Sequence, residues 1–227
     1  MKKELVLGID IGGTFTKFGF IGKDGTIYHE DFIPTTEYSV FKEFVDALQE
    51  NVATFTQSAR FEYELKGIGI GEPNGNYYTG HIEFAPNLNW TGIIEVARDF
   101  EGVFHVPVVL TNDANAAALG EMLFGNARGM QNFVMVTLGT GLGSGLVVNG
   151  ALVYGHDGFA GELGHIRAVD NGRQCGCGKR GCLETYVSAT GIKRTVFELL
   201  ADENSESAFR KIPFKKLKPK LITALAE

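Results

Sequence analysis

The sequence has no long apolar run, few cysteines and no excess of positive charge. No stretch approaches the roughly 18 consecutive apolar residues of a membrane-spanning helix, and Gly8 and Asp10 break the N-terminal apolar stretch before it could act as an export signal. The 21 basic and 27 acidic residues give a formal net charge of −6, which repels nucleic acid and anionic lipid. We therefore expect a cytoplasmic protein that binds neither nucleic acid nor a membrane.

Two segments of the sequence repeat the order strand, glycine loop, strand, tight turn, strand. In the first, apolar runs occupy residues 5–9, 17–21 and 27–32. In the second, the runs occupy residues 133–137, 145–148 and 151–154, and Asn149-Gly150 is a strong hairpin-turn signal. We interpret the two segments as an internal duplication of a β-meander. Two unrelated hairpins are the alternative.

Helices and further strands are predicted between and after these meanders. Apolar periodicity predicts helices at residues 38–59, 93–100, 114–124 and 183–200, and strands at 65–70 and 106–110. This alternation predicts a mixed α/β fold with an N-terminal lobe, 1–112, and a second lobe, 113–227. Since the tail from 201 to 227 supplies no further strand, we expect the second lobe to be incomplete at its C-terminus.

The first glycine loop, Asp10-Ile-Gly-Gly-Thr14, has the composition of a phosphate site. Glycines let backbone N–H groups turn toward an anion and leave no Cβ in the way. Asp10 would repel phosphates unless a cation stood between them, so we expect it to organise Mg²⁺; a strand-end cap is the alternative. The predicted phosphate contacts are Gly12, Gly13, Thr14, Thr16 and Lys17.

The second glycine loop, residues 138–145, alternates glycine with other residues. A dinucleotide fingerprint must open a helix, whereas the sequence after this loop predicts a strand and a hairpin. The sequence also lacks the Gly-Lys-Ser/Thr ending of a P-loop. We expect Gly139, Thr140 and Gly141 to contact nucleotide phosphates instead.

Asn112 and Asp113 lie between a predicted buried strand and a predicted helix. Either residue would suit an N-cap, but a cap alone does not account for both of them together with Asn115. Phosphoryl transfer to a sugar hydroxyl needs a group that accepts the hydroxyl proton. We predict that Asp113 is this general base and that Asn112 binds neighbouring hydroxyls.

Other amide and carboxylate side chains could pair with adjacent sugar hydroxyls. They are Asn87, Glu162 and Glu184. Each could equally be a solvated loop residue.

All three cysteines fall in one short segment, Cys175-Gly-Cys177-Gly-Lys-Arg-Gly-Cys182, and His165 precedes it. One imidazole and three thiolates satisfy the closed tetrahedral preference of structural Zn²⁺. With four protein ligands the metal has no open position for catalysis, so we expect it to brace Glu162 and Glu184. A cluster of reduced free thiols is the alternative.

Together these motifs resemble the ROK family of sugar kinases and repressors, and within it the bacterial glucokinases. The resemblance implies two ribonuclease H-like domains of the actin and hexokinase type, ATP-dependent formation of glucose 6-phosphate, and usually a homodimer. It also implies Asp113 as the base, a zinc ion on His165 and the cysteines, and sugar contacts from Asn112, Glu162, His165 and Glu184.

Two departures from the family pattern bear on function. Glu72-Pro73-Asn74 stands where the family commonly has Pro-Gly beside the sugar, and the family's later glycine-rich adenosine segment has no counterpart before Glu227.

Three alternative functions stay open at this point. The chain could be a kinase for another hexose (fructose, mannose or an N-acetylated amino sugar), a non-catalytic sugar sensor, or a redox or zinc-storage protein.

Overall fold

The computed structural model describes residues 2–59, 61–204 and 206–226. In chain order the strands are β1 (Lys3–Ile11), β2 (Phe15–Gly22), β3 (Ile27–Pro34), β4 (Tyr63–Gly71), β5 (Ile82–Glu83), β6 (Ile93–Ile94), β7 (Val108–Thr111), β8 (Phe133–Leu138), β9 (Leu142–Val148) and β10 (Ala151–Leu152). The α-helices are α1 (Phe41–Ser58), α2 (Val96–Phe104), α3 (Asp113–Phe124), α4 (Glu184–Val187), α5 (Ala189–Asp202) and α6 (Pro219–Ala226). Short 3₁₀ turns lie at Thr35–Glu37, Leu163–His165, Ala208–Lys211 and Phe214–Lys216.

The chain divides into two compact units, and each unit is made of two segments. The first unit comprises Met1–Phe133 and Gly145–Ala160, and the second comprises Val134–Ser144 and Gly161–Glu227. The predicted lobe boundary between residues 112 and 113 stays a prediction.

The first unit is organised around a five-stranded sheet in the order β3-β2-β1-β4-β7. β1, β2 and β3 form the predicted antiparallel meander, whereas β1, β4 and β7 run parallel. Alternate residues of β1 face inward, as expected for a strand with one buried face. The apolar stripe of α1 packs on that face, and the shared core includes Leu5, Leu7, Ile9, Ile11, Phe20, Phe44, Val45 and Leu48.

The second predicted meander forms a three-stranded sheet in the order β10-β9-β8. Asn149 and Gly150 link β9 to β10 with φ angles of +53° and +73°. Two successive positive φ values are what the favoured two-residue hairpin turn requires. The hairpin predicted from Asn-Gly is therefore confirmed, although its third strand has only two residues.

Two predicted helices are wrong in detail. Ile93 and Ile94 pair with β5 as a short strand, and the helix begins at Val96, because the two β-branched residues favour an extended backbone. The helix predicted over 183–200 is interrupted at Ser188, which has an extended backbone and accepts a hydrogen bond from Gly191 N–H as the N-cap of α5.

Among the described residues, no helix is both long enough and apolar enough to span a bilayer.

Candidate active site and metal cluster

The carboxyl ends of three parallel strands meet at one edge of the first sheet. Asp10 of β1 is in register with Gly71 of β4, which is in register with Thr111 of β7. α3 begins at Asp113, directly after β7. Asp10, Lys17 and Asp113 line part of a cavity of 1090 Å³, whose lining also includes Gly19 of β2 and Leu119 of α3. Ligands of open α/β sheets bind outside the carboxyl ends of their strands, so this edge is the candidate reaction site of the first unit.

Asp113 has the environment of a general base. The residue as a whole is exposed to solvent, and its Oδ1 accepts a hydrogen bond from Ala114 N–H at 2.8 Å. The surrounding protein desolvates the carboxylate and thereby raises the pKa of Asp113, and the negative charge of Asp10 raises it further. A higher pKa makes the carboxylate a stronger proton acceptor near neutral pH.

Asn112 is the N-cap of α3, as the capping alternative predicted. Its Oδ1 accepts from Ala114 N–H at 2.8 Å, and its Nδ2 donates to the Pro73 carbonyl at 2.7 Å. The amide thus links the start of α3 to the turn that follows β4. Its predicted contact with sugar hydroxyls stays a prediction.

The first glycine loop requires glycine because backbone carbonyl groups of other residues lie close to it. A Cβ on Gly13 would lie 2.6 Å from the Asn87 carbonyl oxygen, and one on Gly12 would lie 2.8 Å from the Phe15 carbonyl oxygen. The predicted sugar residue Asn87 is therefore exposed beside the predicted phosphate loop.

The polar residues of this loop separate into exposed and buried positions. Thr14 is exposed, and Lys17 lies across the antiparallel pair from Asp10. Thr16 is fully buried, and its hydroxyl is 2.8 Å from the Thr35 hydroxyl. Because this buried hydroxyl already has a partner, we assign the phosphate contacts of this loop to its backbone N–H groups, Thr14 and Lys17.

The second glycine loop is a tight turn between β8 and β9. Gly139 N–H donates to the Gly141 carbonyl at 3.1 Å, and Gly139 and Thr140 are exposed. Glu184 Oε2 accepts from Leu142 N–H at 3.2 Å and lies 2.5 Å from where a Cβ on Gly141 would be. A predicted sugar residue therefore supports the predicted phosphate loop of the same unit.

Glu184 also reaches the cysteine segment. Its Oε1 is 3.3 Å from Cys175 Sγ and 3.9 Å from His165 Nδ1. The other ring nitrogen of His165, Nε2, is 4.0 Å from Glu162 Oε2. Nδ1 of His165 thus lies near both Cys175 and Glu184, whereas Nε2 lies near Glu162.

His165, Cys175, Cys177 and Cys182 form a cluster that could hold a metal ion. One ligand atom from each residue lies within 4.8 Å of all the others. Tetrahedral zinc, with Zn–S near 2.3 Å, requires ligand atoms about 3.5–3.8 Å apart. Cys177 Sγ and Cys182 Sγ are 3.7 Å apart, and Cys175 Sγ is 3.6 Å from His165 Nδ1. The donor set and its spacing therefore fit zinc.

A buried arginine that sequence reasoning missed connects the metal segment to α5. Arg173 is 8% exposed; it donates to the carbonyls of Thr185 at 2.7 Å and Gly191 at 3.2 Å, and it pairs with Glu198. Its guanidinium also lies 4.4 Å from the Tyr186 ring centroid. The rigid fork of arginine suits several acceptors at once.

We expect Arg173→Ala to lower the free energy of unfolding by about 2–3 kcal/mol, because it removes one donor from each of the Thr185 and Gly191 carbonyls and leaves Glu198 with Arg194 as its remaining partner. Arg173→Lys should recover only part of the loss, since lysine cannot reach all of these acceptors. Arg167, exposed on the same segment, provides the matched control Arg167→Ala. Urea unfolding of the three variants measures the difference, and equal stability of both alanine variants would contradict it.

Sequence reasoning also missed the burial of Glu72, which is 0% exposed directly after β4. In the sequence, the only indication of this burial is an acidic residue between a predicted buried strand and Pro73. The resembled family commonly has Pro-Gly in this segment.

The chain belongs to the ROK family, whose sequence pattern matches residues 6–226. It is 40% identical over 210 residues to a glucokinase of Halalkalibacterium halodurans, an alignment that covers 87% of this chain and 61% of that protein. It is 33% identical over 193 residues to the xylose repressor of Bacillus subtilis, covering 84% of this chain and 49% of the repressor. The chain thus spans less than two thirds of the length of these relatives.

A solved structure has the same fold. The ROK family glucokinase from Streptomyces griseus, in complex with glucose and AMPPNP, superimposes with a TM-score of 0.75 at 33% identity. The match covers 98% of this chain and 70% of that chain. The predicted α/β fold of the actin and hexokinase type is therefore confirmed.

Proposed function

We propose that this chain phosphorylates a hexose, with glucose as the preferred acceptor and ATP as the donor. The observation that carries the proposal is the position of Asp113. This carboxylate has a raised pKa and lies at the carboxyl edge of the parallel strands, in one cavity with Asp10 and Lys17. The glucokinase relatives support the choice of reaction and acceptor.

On the acceptor side, Asp113 takes the proton of the sugar hydroxyl as that hydroxyl attacks the phosphoryl group. The capping bonds of Asn112 hold the start of α3, and hence Asp113, in place. The remaining proposed sugar contacts are Asn87, Asn112, Glu162, His165 and Glu184.

On the donor side, ATP supplies the transferred phosphoryl group and Mg²⁺ neutralises its charge. A single carboxylate such as Asp10 suits Mg²⁺, which keeps most of its water ligands in proteins. The backbone N–H groups of the two glycine loops, with Thr14, Thr140 and Lys17, are proposed to bind the phosphates. Zinc on His165 and the three cysteines is proposed to hold Glu184 in place against the second loop.

A sugar-responsive regulator is the second candidate function. The observation that favours it is the 33% identity to the xylose repressor of Bacillus subtilis. A regulator would keep the sugar contacts and the metal cluster without needing turnover.

The two candidates differ in nucleotide use. ADP release would be measured with glucose, mannose, fructose, N-acetylglucosamine and xylose, with a sugar-free sample as the background. Calorimetry would measure binding of each sugar and of AMPPNP separately. The kinase proposal expects the highest kcat/KM with glucose, together with AMPPNP binding. Sugar binding without nucleotide binding or turnover would favour the regulator, and no sugar binding would contradict both.

A further inference from the structure

Glu72 is a buried carboxyl group with one unsatisfied oxygen. Within residues 2–59, 61–204 and 206–226 it is the one carboxylate that is buried, at 0% exposure. Its Oε2 accepts from Asn74 N–H at 2.7 Å, whereas its Oε1 has no hydrogen-bond partner. An unpaired buried carboxylate oxygen is costly in a core, so its presence here calls for a reason.

The backbone places Glu72 beside the proposed base. Glu72 N–H donates to the Thr111 carbonyl at 3.0 Å and so extends the parallel pairing of β4 and β7 by one residue. Gly71, the preceding residue, lies so close to α3 that a Cβ on it would be 3.5 Å from Asp113 Cα. Glu72 is therefore at the level in the sheet where β7 turns into α3.

The turn 72–74 is held from two sides. The Glu72 carboxylate accepts a hydrogen bond from Asn74 N–H within the turn, and the side-chain amide of Asn112, the N-cap of α3, donates to the Pro73 carbonyl. Asn112 also caps the helix that begins with Asp113. A displacement of the turn 72–74 would therefore displace Asp113 through the Asn112 side chain.

Charge links the same two residues. Burial first, and then the charge of Asp113, raise the pKa of Glu72 to about 7, while the hydrogen bond from Asn74 N–H opposes the rise. β7 brings no ionisable side chain, and Glu83 of β5 is engaged with Asn76 and Thr79. Asp10 acts on Asp113, and Lys17 lies opposite Asp10. Asp113 is thus the charged group that acts on Glu72.

We propose that Glu72 is a positioning residue for Asp113, which it holds through the turn 72–74 and influences through its own negative charge. The inference rests on the proposed function, in which Asp113 is the base. While Glu72 is protonated, it adds no charge to that of Asp10 in the surroundings of Asp113. Once Glu72 ionises, the added negative charge makes Asp113 a stronger proton acceptor.

The variants Glu72→Gln and Glu72→Ala separate the two effects. Glutamine keeps an oxygen that accepts from Asn74 N–H but does not ionise, whereas alanine also removes the hydrogen bond. We expect Glu72→Gln to keep KM for glucose within about twofold and to lose a step near pH 7 in the profile of kcat/KM. Glu72→Ala should in addition raise KM, because the turn loses its inner support.

The coupling itself would be measured without turnover. In ¹³C NMR of the full chain, the Asp113 carboxyl, assigned with Asp113→Asn, should show a second inflection near pH 7 that Glu72→Gln lacks. An unchanged Asp113 titration in Glu72→Gln would overturn the proposal whether or not the protein is active. If the inflection is lost but the parent phosphorylates no hexose, the proposed function fails while the coupling of the two carboxyl groups stands.

Discussion

Asp113→Asn is expected to lower kcat for glucose phosphorylation by about 10³-fold, while glucose binding changes little. General base catalysis contributes roughly 10²–10⁴-fold, and asparagine keeps the size and the hydrogen-bonding capacity of the side chain but does not accept the proton. ADP-release kinetics give kcat and KM, and calorimetry gives the affinity for glucose. Because the charge of Asp113 also raises the pKa of Glu72, the variant should be compared at several pH values.

Asp31 provides the matched control for this substitution. It is an exposed carboxylate that lines the same cavity and has no role in the proposed chemistry. Asp31→Asn should keep kcat within about twofold of the parent. Turnover by Asp113→Asn within tenfold of the parent would rule out Asp113 as the base, and equal losses in both variants would indicate a general effect of removing charge from the cavity.

Removing one metal ligand is expected to have the largest effect on stability. Among the described residues of the second unit, the buried apolar side chains are few: Leu142, Cys175, Cys182 and Leu217. A unit with so small a core depends on other links for its stability, and a structural metal is one of them. A loss of about 3 kcal/mol would lower Tm by roughly 6–12 °C in a chain of this length.

His165→Ala and His156→Ala form the matched pair for this measurement. His165 is in the cluster, whereas the His156 side chain is 98% exposed. Elemental analysis should give one zinc per chain in the parent and in His156→Ala, and much less in His165→Ala. A strong chelator should lower the Tm of the parent toward that of His165→Ala. A parent that carries no zinc and does not respond to chelator would refute the metal assignment.

Local signals predicted much of the fold. Asn149-Gly150 indicated a hairpin because few residues adopt two positive φ values in succession. The apolar spacing over 38–59 indicated a helix, and α1 occupies most of that range. The helix break at Ser188 was not predicted, because the apolar pattern of its segment is continuously helical. The hydrogen bond that Ser188 accepts from Gly191 N–H identifies it as the start of a new helix.

The candidate site was predictable where its residues are close in sequence. The cysteine cluster spans few residues, and its ability to hold a metal followed from ligand type and spacing alone. The contact of Glu184 with Leu142 joins residues 42 positions apart, and the burial of Glu72 depends on the pairing of β4 with β7. Contacts of this kind arise from tertiary packing, which residue patterns do not encode.

The division of the chain into two units has a consequence for its biosynthesis and its cleavage. Residues 134–144 belong to the second unit but precede residues 145–160, which complete the first. During synthesis, part of the second unit is therefore made before the first unit is complete. Domains that are contiguous in sequence can instead fold one after another as they are synthesised. For the same reason, no single proteolytic cut can release both units whole.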